Sequence, residues 1–180
     1  MKYIVPHTDP WHGLGGEDGP PVFITPVAHL LLDLAQWHAF RATWPAGMPV
    51  GVRIANDVAV EELEADLPRL GLIALHFPKF TDGRAYSQAR LLRSRYRFGG
   101  EIRATGEVLV DMLPLLARTG FDAVKLRPDQ SVEAAERALA FFRGHYQGDA
   151  RDHRPLFALP EGTVQQLAGE PEFINAGASI

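Results

Sequence analysis

The stretch that decides the fold covers residues 72–93 and reads LIALHFPKFTDGRAYSQARLLR. Its first six residues are mostly apolar and predict a buried strand, and the residues from 87 onward follow a helical pattern. The loop between them carries five side chains that donate, accept or hold charge: Lys79, Asp82, Arg84, Tyr86 and Ser87. Open α/β sheets and α/β barrels place their sites at the carboxyl ends of the strands. This stretch therefore predicts a strand, a site and a helix, in that order.

The alternation of strand and helix continues on both sides of this stretch. Further β-rich runs lie at residues 50–55, 101–105 and 121–126, and helical patterns lie at residues 60–70, 108–116 and 131–146. Such alternation predicts an α/β fold with a parallel sheet of about four βα units and right-handed crossovers. Two arrangements stay open, a half-barrel and a small open doubly wound sheet. A half-barrel would favour a homodimer that covers its open edge.

The flanking segments differ in composition from the alternating part. Residues 1–21 are rich in glycine, proline and aspartate and predict an irregular N-terminal arm. Thr25 followed by Pro26 is typical of an N-cap and a first helical residue, which predicts an extra N-terminal helix. We assign residues 22–147 to a single α/β domain. Residues 148–180 then form an extended, irregular C-terminal tail.

Composition excludes several classes of protein. The chain of 180 residues contains no cysteine, which excludes disulfides, thiolate zinc sites and cysteine-ligated iron–sulfur clusters. His7 and His12 lack a carboxylate at fitting spacing, so we predict no metal site. No apolar run approaches the roughly 20 residues of a membrane span, and the first residues do not form a signal peptide. We expect a cytoplasmic chain that has no membrane partner.

Charge is segregated along the chain. Residues 79–103 contain seven basic side chains and two acidic ones, although the whole chain carries a net charge of −4. Arginine forks suit carboxylate, phosphate and similar oxyanions, so this stretch predicts either an anion site or a docking surface for an acidic partner. A nucleic-acid partner is not expected, because the net charge is negative and no nucleic-acid motif is present.

Several short motifs resemble a bacterial family, the domain-of-unknown-function family 934. The matching residues within residues 72–126 are Phe77-Pro78-Lys79-Phe80, Asp82-Gly83-Arg84, Tyr86-Ser87, Ala89-Arg90-Leu91-Leu92-Arg93, Gly100-Glu101, Arg103-Ala104, Gly106, Val108-Leu109, Asp111 and Gly120-Phe121-Asp122-Ala123. Members of that family are described as oxidoreductases of sulfite reduction. The resemblance therefore implies a role in sulfite reduction or sulfate assimilation, as an enzyme or as an accessory protein.

The candidate site combines loop side chains of three βα units. As groups that could move protons we predict Lys79, Asp82, Tyr86 and Glu107. As groups that could hold the substrate or another anion we predict Arg84, Ser87, Arg90, Arg103 and Arg127. The cofactor is unknown: no G-x-G-x-x-G follows a predicted strand and no P-loop occurs, which leaves flavin and nicotinamide open.

Two functions from different classes fit these residues. In the first, the chain binds a small anion at the carboxyl ends of the strands and takes part in sulfite reduction. In the second, the chain is a non-catalytic adaptor, and its basic face between Arg90 and Arg97 docks on an acidic partner such as a sulfite-reductase-type protein. The adaptor would bind its partner in a salt-dependent way and show no turnover alone.

Overall fold

The computed structural model describes residues 1–5, 7–14, 23–141, 148–150, 154, 155 and 158. Within them lies a parallel sheet whose strands are β1 (Lys2–Tyr3), β2 (His12–Gly13), β3 (Leu30–Asp33), β4 (Val50–Ile54), β5 (Leu70–Phe77), β6 (Glu101–Gly106) and β7 (Ala123–Val124). The α-helices are α1 (Leu34–Phe40), α2 (Arg84–Ser94), α3 (Leu113–Thr119) and α4 (Val132–Phe141). Short 3-10 turns occupy Val60–Leu63, Leu67–Arg69 and Val110–Met112. The predicted α/β class is confirmed, and β4 to β7 are the four predicted strands.

The strand order is β1-β7-β6-β5-β4-β3-β2, and every neighbouring pair is parallel. The edge strands β1 and β2 would lie about 29 Å apart in a flat sheet with strand spacings of about 4.8 Å. An extended chain from residue 3 to residue 12 reaches about 30 Å at most. A turn in that segment, where Thr8 donates to the Val5 carbonyl at 3.0 Å, shortens this reach. The sheet is therefore curled, and of the two predicted arrangements the half-barrel is the one observed.

One face of the sheet packs against the helices. Its strand residues form a single apolar cluster with residues of the helices and turns, among them Val52, Ile54, Ile73, Leu75, Ile102, Trp37, Leu63, Leu92, Leu113 and Leu116. Each of these side chains is at most 1% exposed. Burying one Leu or Ile side chain contributes about 1.5–3 kcal/mol, so this face supplies most of the stabilisation of the fold.

The other face is free of helices among the described residues, and we call it the concave face. Leu72, Ala74 and Ala123 are fully buried on it, yet they lie outside the apolar cluster. The N-terminal segment crosses this face, and the Trp11 ring lies over Gly51 and Gly71, where added Cβ atoms would meet it at 3.1 and 3.2 Å. The predicted irregular arm thus contributes two short edge strands and an aromatic cover.

The N-terminal helix begins later than predicted. Residues 30–33 form the strand β3, and α1 starts at Leu34, with the Gln36 side chain accepting the Asp33 backbone N–H at 2.9 Å. The apolar run of residues 30–32 satisfies both the helical and the strand pattern, and pairing with β4 decides for the strand. The helix predicted over residues 60–70 is also replaced, by two 3-10 turns.

The later helices end and begin where their sequence signals indicate. Pro114 stands in the first turn of α3, and Gly120 follows the helix with a φ of 104°, a left-handed conformation that favours glycine. The Ser131 hydroxyl accepts the Ala134 N–H at 3.1 Å and caps α4. Most of the predicted C-terminal tail, residues 148–180, lies outside the described residues. None of the described helices is long and apolar enough to cross a membrane.

Candidate functional site

The loop after β5 holds Asp82 and Arg84 as a fork. Arg84 donates from Nε to Asp82 Oδ1 at 3.0 Å and from Nη2 to Oδ2 at 2.7 Å, and its backbone N–H reaches Oδ1 at 3.3 Å. These bonds, with a smaller contribution from the Asn56 side chain, hold the pKa of Asp82 well below its usual range. Asp82 is therefore ionised at neutral pH and can accept hydrogen bonds, but it has no proton to give.

The other predicted residues of this βα unit do not form one group with Asp82 and Arg84. Tyr86 is half-buried, its ring packs edge-on against Phe77 and Phe121 at centroid distances of 5.2 and 6.4 Å, and burial raises its pKa. Ser87 and Arg90 lie exposed on α2. Lys79 is exposed in the loop beside Asp82 and Arg84. The structure therefore joins Asp82 and Arg84 directly, places Lys79 in the same turn, where the Asp82 N–H donates to its carbonyl at 3.0 Å, and packs Tyr86 against Phe77 and Phe121.

A second ion-paired group lies at the carboxyl ends of β6 and β7. Arg127 donates from Nη1 to Glu107 at 3.0 Å and from Nε and Nη2 to the two oxygens of Asp129, each at 2.6 Å. The hydrogen bonds from Arg127 lower the pKa of Asp129 to about 2. A backbone hydrogen bond also holds this segment in place, because the Arg127 N–H donates to the Val108 carbonyl at 3.1 Å. Glu107 and Arg127, which the sequence assigned to different βα units, are thus in direct contact.

A small cleft of about 180 Å³ adjoins Arg127. Its lining comes from β1, β7 and the segment leading into α4: Tyr3, Ile4, Val5, Val124, Leu126, Arg127, Pro128, Gln130 and Val132. The hydroxyl of Tyr3 is buried and has no hydrogen-bond partner among the described residues.

Arg103 does not join either group. Its side chain lies on the concave face in the middle of β6, where it is 4% exposed. It donates to both oxygens of Asp9 at 2.6 and 3.0 Å and to Glu101 at 2.7 Å. Burial opposes ionisation of Asp9 most strongly, but the hydrogen bonds from Arg103 and from the Trp11 N–H, together with the charges of Arg103 and Lys2, outweigh it and lower the pKa of Asp9. Arg103 therefore fastens the N-terminal segment to the sheet.

The basic stretch is only partly available to a partner. Arg93 is mostly buried and donates to the carbonyls of Phe98, Gly100 and Gly120 and to Asp122. Arg95 pairs loosely with Glu61 at 3.7 Å. Arg90 and Arg97 are exposed, and no carboxylate among the described residues pairs with them.

Sequence reasoning missed a set of polar side chains on the concave face. They lie on successive strands or directly after them: Asp33, Arg53, His76, Thr105 and Lys125. A signal was present in β4 and β5, where Arg53 and His76 are each the single polar residue of an apolar run. Only the register shows that these isolated residues share one face. Among the described residues, no group of three or more metal-ligating side chains could hold a metal ion.

The fold and the ion-paired edge define the class of protein: a parallel α/β half-barrel with charged groups at the carboxyl ends of its strands. The model of a family described as "Bacterial protein of unknown function (DUF934)" matches residues 51–157. The chain belongs to this family, as its motifs predicted, and the match covers β5 to β7 with their loops. No curated protein matches the chain significantly.

Proposed function

We propose that the chain serves sulfite reduction or sulfate assimilation, as an accessory or oxidoreductase protein that binds a small oxyanion at the carboxyl ends of its strands. The observation that carries the proposal is Arg127, held between Glu107 and Asp129 at the mouth of the cleft. The role in sulfite reduction comes from the family resemblance. The anion site comes from the geometry, and the two parts are tested separately.

Arg127 retains donors for a ligand. A guanidinium has five N–H groups, and three of those of Arg127 are used by Glu107 and Asp129. Two N–H groups are left, enough to hold two oxygens of a sulfite- or sulfate-like ligand. Because the two carboxylates fix the guanidinium in place, little side-chain entropy is lost when a ligand binds. The carboxylates also oppose the ligand's charge, so we expect weak to moderate affinity.

The group after β5 would add charge and a proton source. Arg84 uses Nε and Nη2 on Asp82, so that three of its N–H groups are left, and its side chain is 58% exposed. Lys79 is the natural proton donor, because Asp82 is ionised and Tyr86 is packed in the core. In this proposal Arg127 anchors the anion, and Arg84 and Lys79, which follow β5 at the same end of the sheet, would supply further positive charge and a proton.

A second candidate function is the adaptor. It rests on Arg90 and Arg97, which are exposed and unpaired among the described residues, whereas Arg93 is used inside the fold. Two exposed arginines make a small docking surface, so the adaptor would bind its acidic partner weakly and lose it at high salt. Replacing both by Gln should abolish that binding and leave sulfite and sulfate binding unchanged.

The biological part is tested by deletion in the bacterium that encodes the chain. The deleted strain should grow on sulfide or cysteine but fail on sulfate and on sulfite as the only sulfur source. Restoring the unmodified chain should restore growth, and restoring Arg127→Gln should not. Normal growth of the deleted strain on sulfite would overturn the proposed role.

The binding part is tested with purified protein at low ionic strength. Sulfite and sulfate are added while the melting temperature is followed, because a ligand at about 100 times its Kd stabilises the native state by about 2.7 kcal/mol. Arg127→Gln should reduce the shift clearly, and the matched control Arg95→Gln, which removes an exposed arginine at the far end of α2, should not. Equal shifts in both variants would remove Arg127 from the site.

A further inference from the structure

We propose a second oxyanion site on the concave face, formed by Arg53, His76 and Thr105. It shares no residue with the Arg127 group, which lies at the carboxyl ends of β6 and β7 beside the cleft. The ligand class is a small oxyanion with two or three charged oxygens, such as sulfate, sulfite or phosphate. The inference does not depend on the role in sulfite reduction.

Strand register puts the three residues on neighbouring strands of one face. Arg53 on β4 is level with Ala74 on β5, and His76 lies two residues beyond Ala74 on that strand. His76 is in turn level with Thr105 on β6. Residues two apart along a strand point to the same face, and adjacent strands lie about 4.8 Å apart. The diagonal from Arg53 to His76 is thus about 8 Å between Cα atoms, a span that both side chains can bridge around one anion.

Arg53 has the donors that an oxyanion needs. Its Nε donates to Asp33 at 2.7 Å, and that is the one hydrogen bond of its side chain found within the described residues. Four N–H groups of the two terminal nitrogens are therefore left. The side chain is 50% exposed, so a ligand can reach it. Asp33 fixes the guanidinium by one edge and leaves the other edge open, which suits bidentate recognition of an oxyanion.

His76 is set in place by the backbone beside it. Gly106 has a φ of 90°, and a Cβ atom there would approach His76 Cε1 at 2.7 Å and Nδ1 at 2.9 Å. The imidazole thus lies directly over a glycine that no other residue can replace without displacing it. Thr105 lies on the neighbouring strand, and its hydroxyl makes only a long bond of 3.3 Å to the Leu75 carbonyl. That hydroxyl can turn to donate to a ligand on the same face.

The charge on this part of the face favours an anion. Arg53 is balanced by Asp33, and Lys125 follows β7, where its N–H continues the ladder to the Ala104 carbonyl at 2.9 Å. By strand alternation its exposed ammonium belongs to the concave face as well. The neighbouring carboxylates Asp9 and Glu101 are committed to Arg103. The open part of the face therefore carries a net positive charge.

The test counts sulfate sites by isothermal titration calorimetry at low ionic strength. The unmodified chain should bind two sulfate ions. Arg53→Gln should weaken one of them at least tenfold, His76→Gln should weaken the same one less, and the matched control Arg95→Gln should bind like the unmodified chain. Circular dichroism and urea midpoints verify that each variant is folded, which we expect because Arg53 and His76 are not in the apolar core.

Failure of this site and failure of the Arg127 site give different results. If Arg53→Gln and Arg95→Gln bind sulfate with the same stoichiometry and affinity, the concave-face site is overturned. If Arg53→Gln removes one ion and Arg127→Gln removes none, the concave-face site stands and the edge site falls. If phosphate and sulfate compete at the site that Arg53→Gln removes, the oxyanion class is supported.

Discussion

Arg53 and Arg103 lie in the same row of the concave face, two strands apart, and yet one is exposed and the other is buried in an ion-paired group. Both are level with Ala74, which separates them. Arg103 is 4% exposed and pairs with Asp9 and Glu101, whereas Arg53 is 50% exposed and its one ion pair among the described residues is with Asp33. The difference is made by the N-terminal segment, which crosses the face at Arg103 and leaves Arg53 open. Residue type alone therefore says little about which arginine can bind a ligand.

The comparison shows how a half-barrel uses its inner face. A complete barrel fills its interior with layers of side chains from all its strands, and a half-barrel has no opposite wall. Here the N-terminal segment supplies part of that wall, with Trp11 over two glycines and Asp9 on an arginine. The uncovered remainder carries charge, and it lies toward the carboxyl ends of the strands, where sites of α/β proteins are found.

The largest expected effect is on stability when Arg103 is lost. Arg103→Gln leaves Asp9, whose side chain is 10% exposed, without Arg103, and it leaves Glu101 with Lys2 at 3.4 Å. Breaking a buried pair costs about 3–5 kcal/mol. Urea denaturation measures this loss in the free energy of unfolding directly. Arg53→Gln is the matched control, because exposed pairs contribute about 0–1 kcal/mol. Equal losses in the two variants would contradict the distinction between a structural and an available arginine.

A smaller loss is expected at Gly106. Its φ of 90° is left-handed, and an added Cβ would collide with the Phe77 carbonyl and with His76. Gly106→Ala should therefore cost about 1–3 kcal/mol, the range for a residue forced into such a conformation. It should also weaken sulfate binding, since the imidazole is displaced. Gly99→Ala is the control, because a Cβ there meets nothing within 4 Å; a control that loses as much as Gly106→Ala would refute the strain argument.

The acid side of the stability curve reports on Asp9. Its pKa is lowered in the folded chain, because burial is outweighed by the hydrogen bonds from Arg103 and the Trp11 N–H together with the nearby charges of Arg103 and Lys2. A lowered carboxyl pKa stabilises the fold above the unfolded pKa of about 4, and that contribution is lost as the pH falls toward the folded value. Asp9→Asn should thus be less stable near neutral pH and lose less between pH 5 and pH 3. A variant with the same acid slope as the unmodified chain would show that Asp9 does not carry this linkage.

The smallest effect belongs to the exposed pair at the end of α2. Arg95 and Glu61 are 3.7 Å apart, with side chains 64% and 47% exposed. Such pairs contribute about 0.2–1 kcal/mol at most, so Arg95→Gln should change the urea midpoint very little. This is why Arg95→Gln is the control for both anion sites. A loss above about 1.5 kcal/mol would mean that it is not a neutral control.

Much of the architecture follows from local sequence signals. The apolar runs predicted the strands β4 and β5 correctly. The glycine after α3 and the serine before α4 are further local signals, which end one helix and cap the other. The start of α1 was predicted wrongly. The leucines of β3 fit both the helical and the strand periodicity, and only pairing with β4 selects the strand. The edge strands β1 and β2 have two residues each, too short for any periodic pattern.

The candidate site was harder to predict than the fold, because part of it depends on contacts between residues that are far apart in the sequence. Asp82 and Arg84 are two residues apart, and their fork was foreseeable as a local pair. The contact between Glu107 and Arg127 needed only the parallel order of adjacent strands. The placement of Arg103 against Asp9 joins residues 94 positions apart through a segment without a pattern. Arg53, His76 and Thr105 come together only because of the register in which β4, β5 and β6 pair. That register cannot be read from a single sequence.

The most direct test follows the arginine side chains during binding. In protein labelled with ¹⁵N-arginine, the Nε–Hε signals are recorded while sodium sulfate replaces sodium chloride at constant ionic strength, with signals assigned through Arg53→Gln and Arg103→Lys. The account predicts a saturable shift of the Arg53 signal and an unchanged Arg103 signal. If the chemical shift of Arg53 does not change, or if that of Arg103 changes by as much, the claim that the open part of the concave face binds an oxyanion is contradicted.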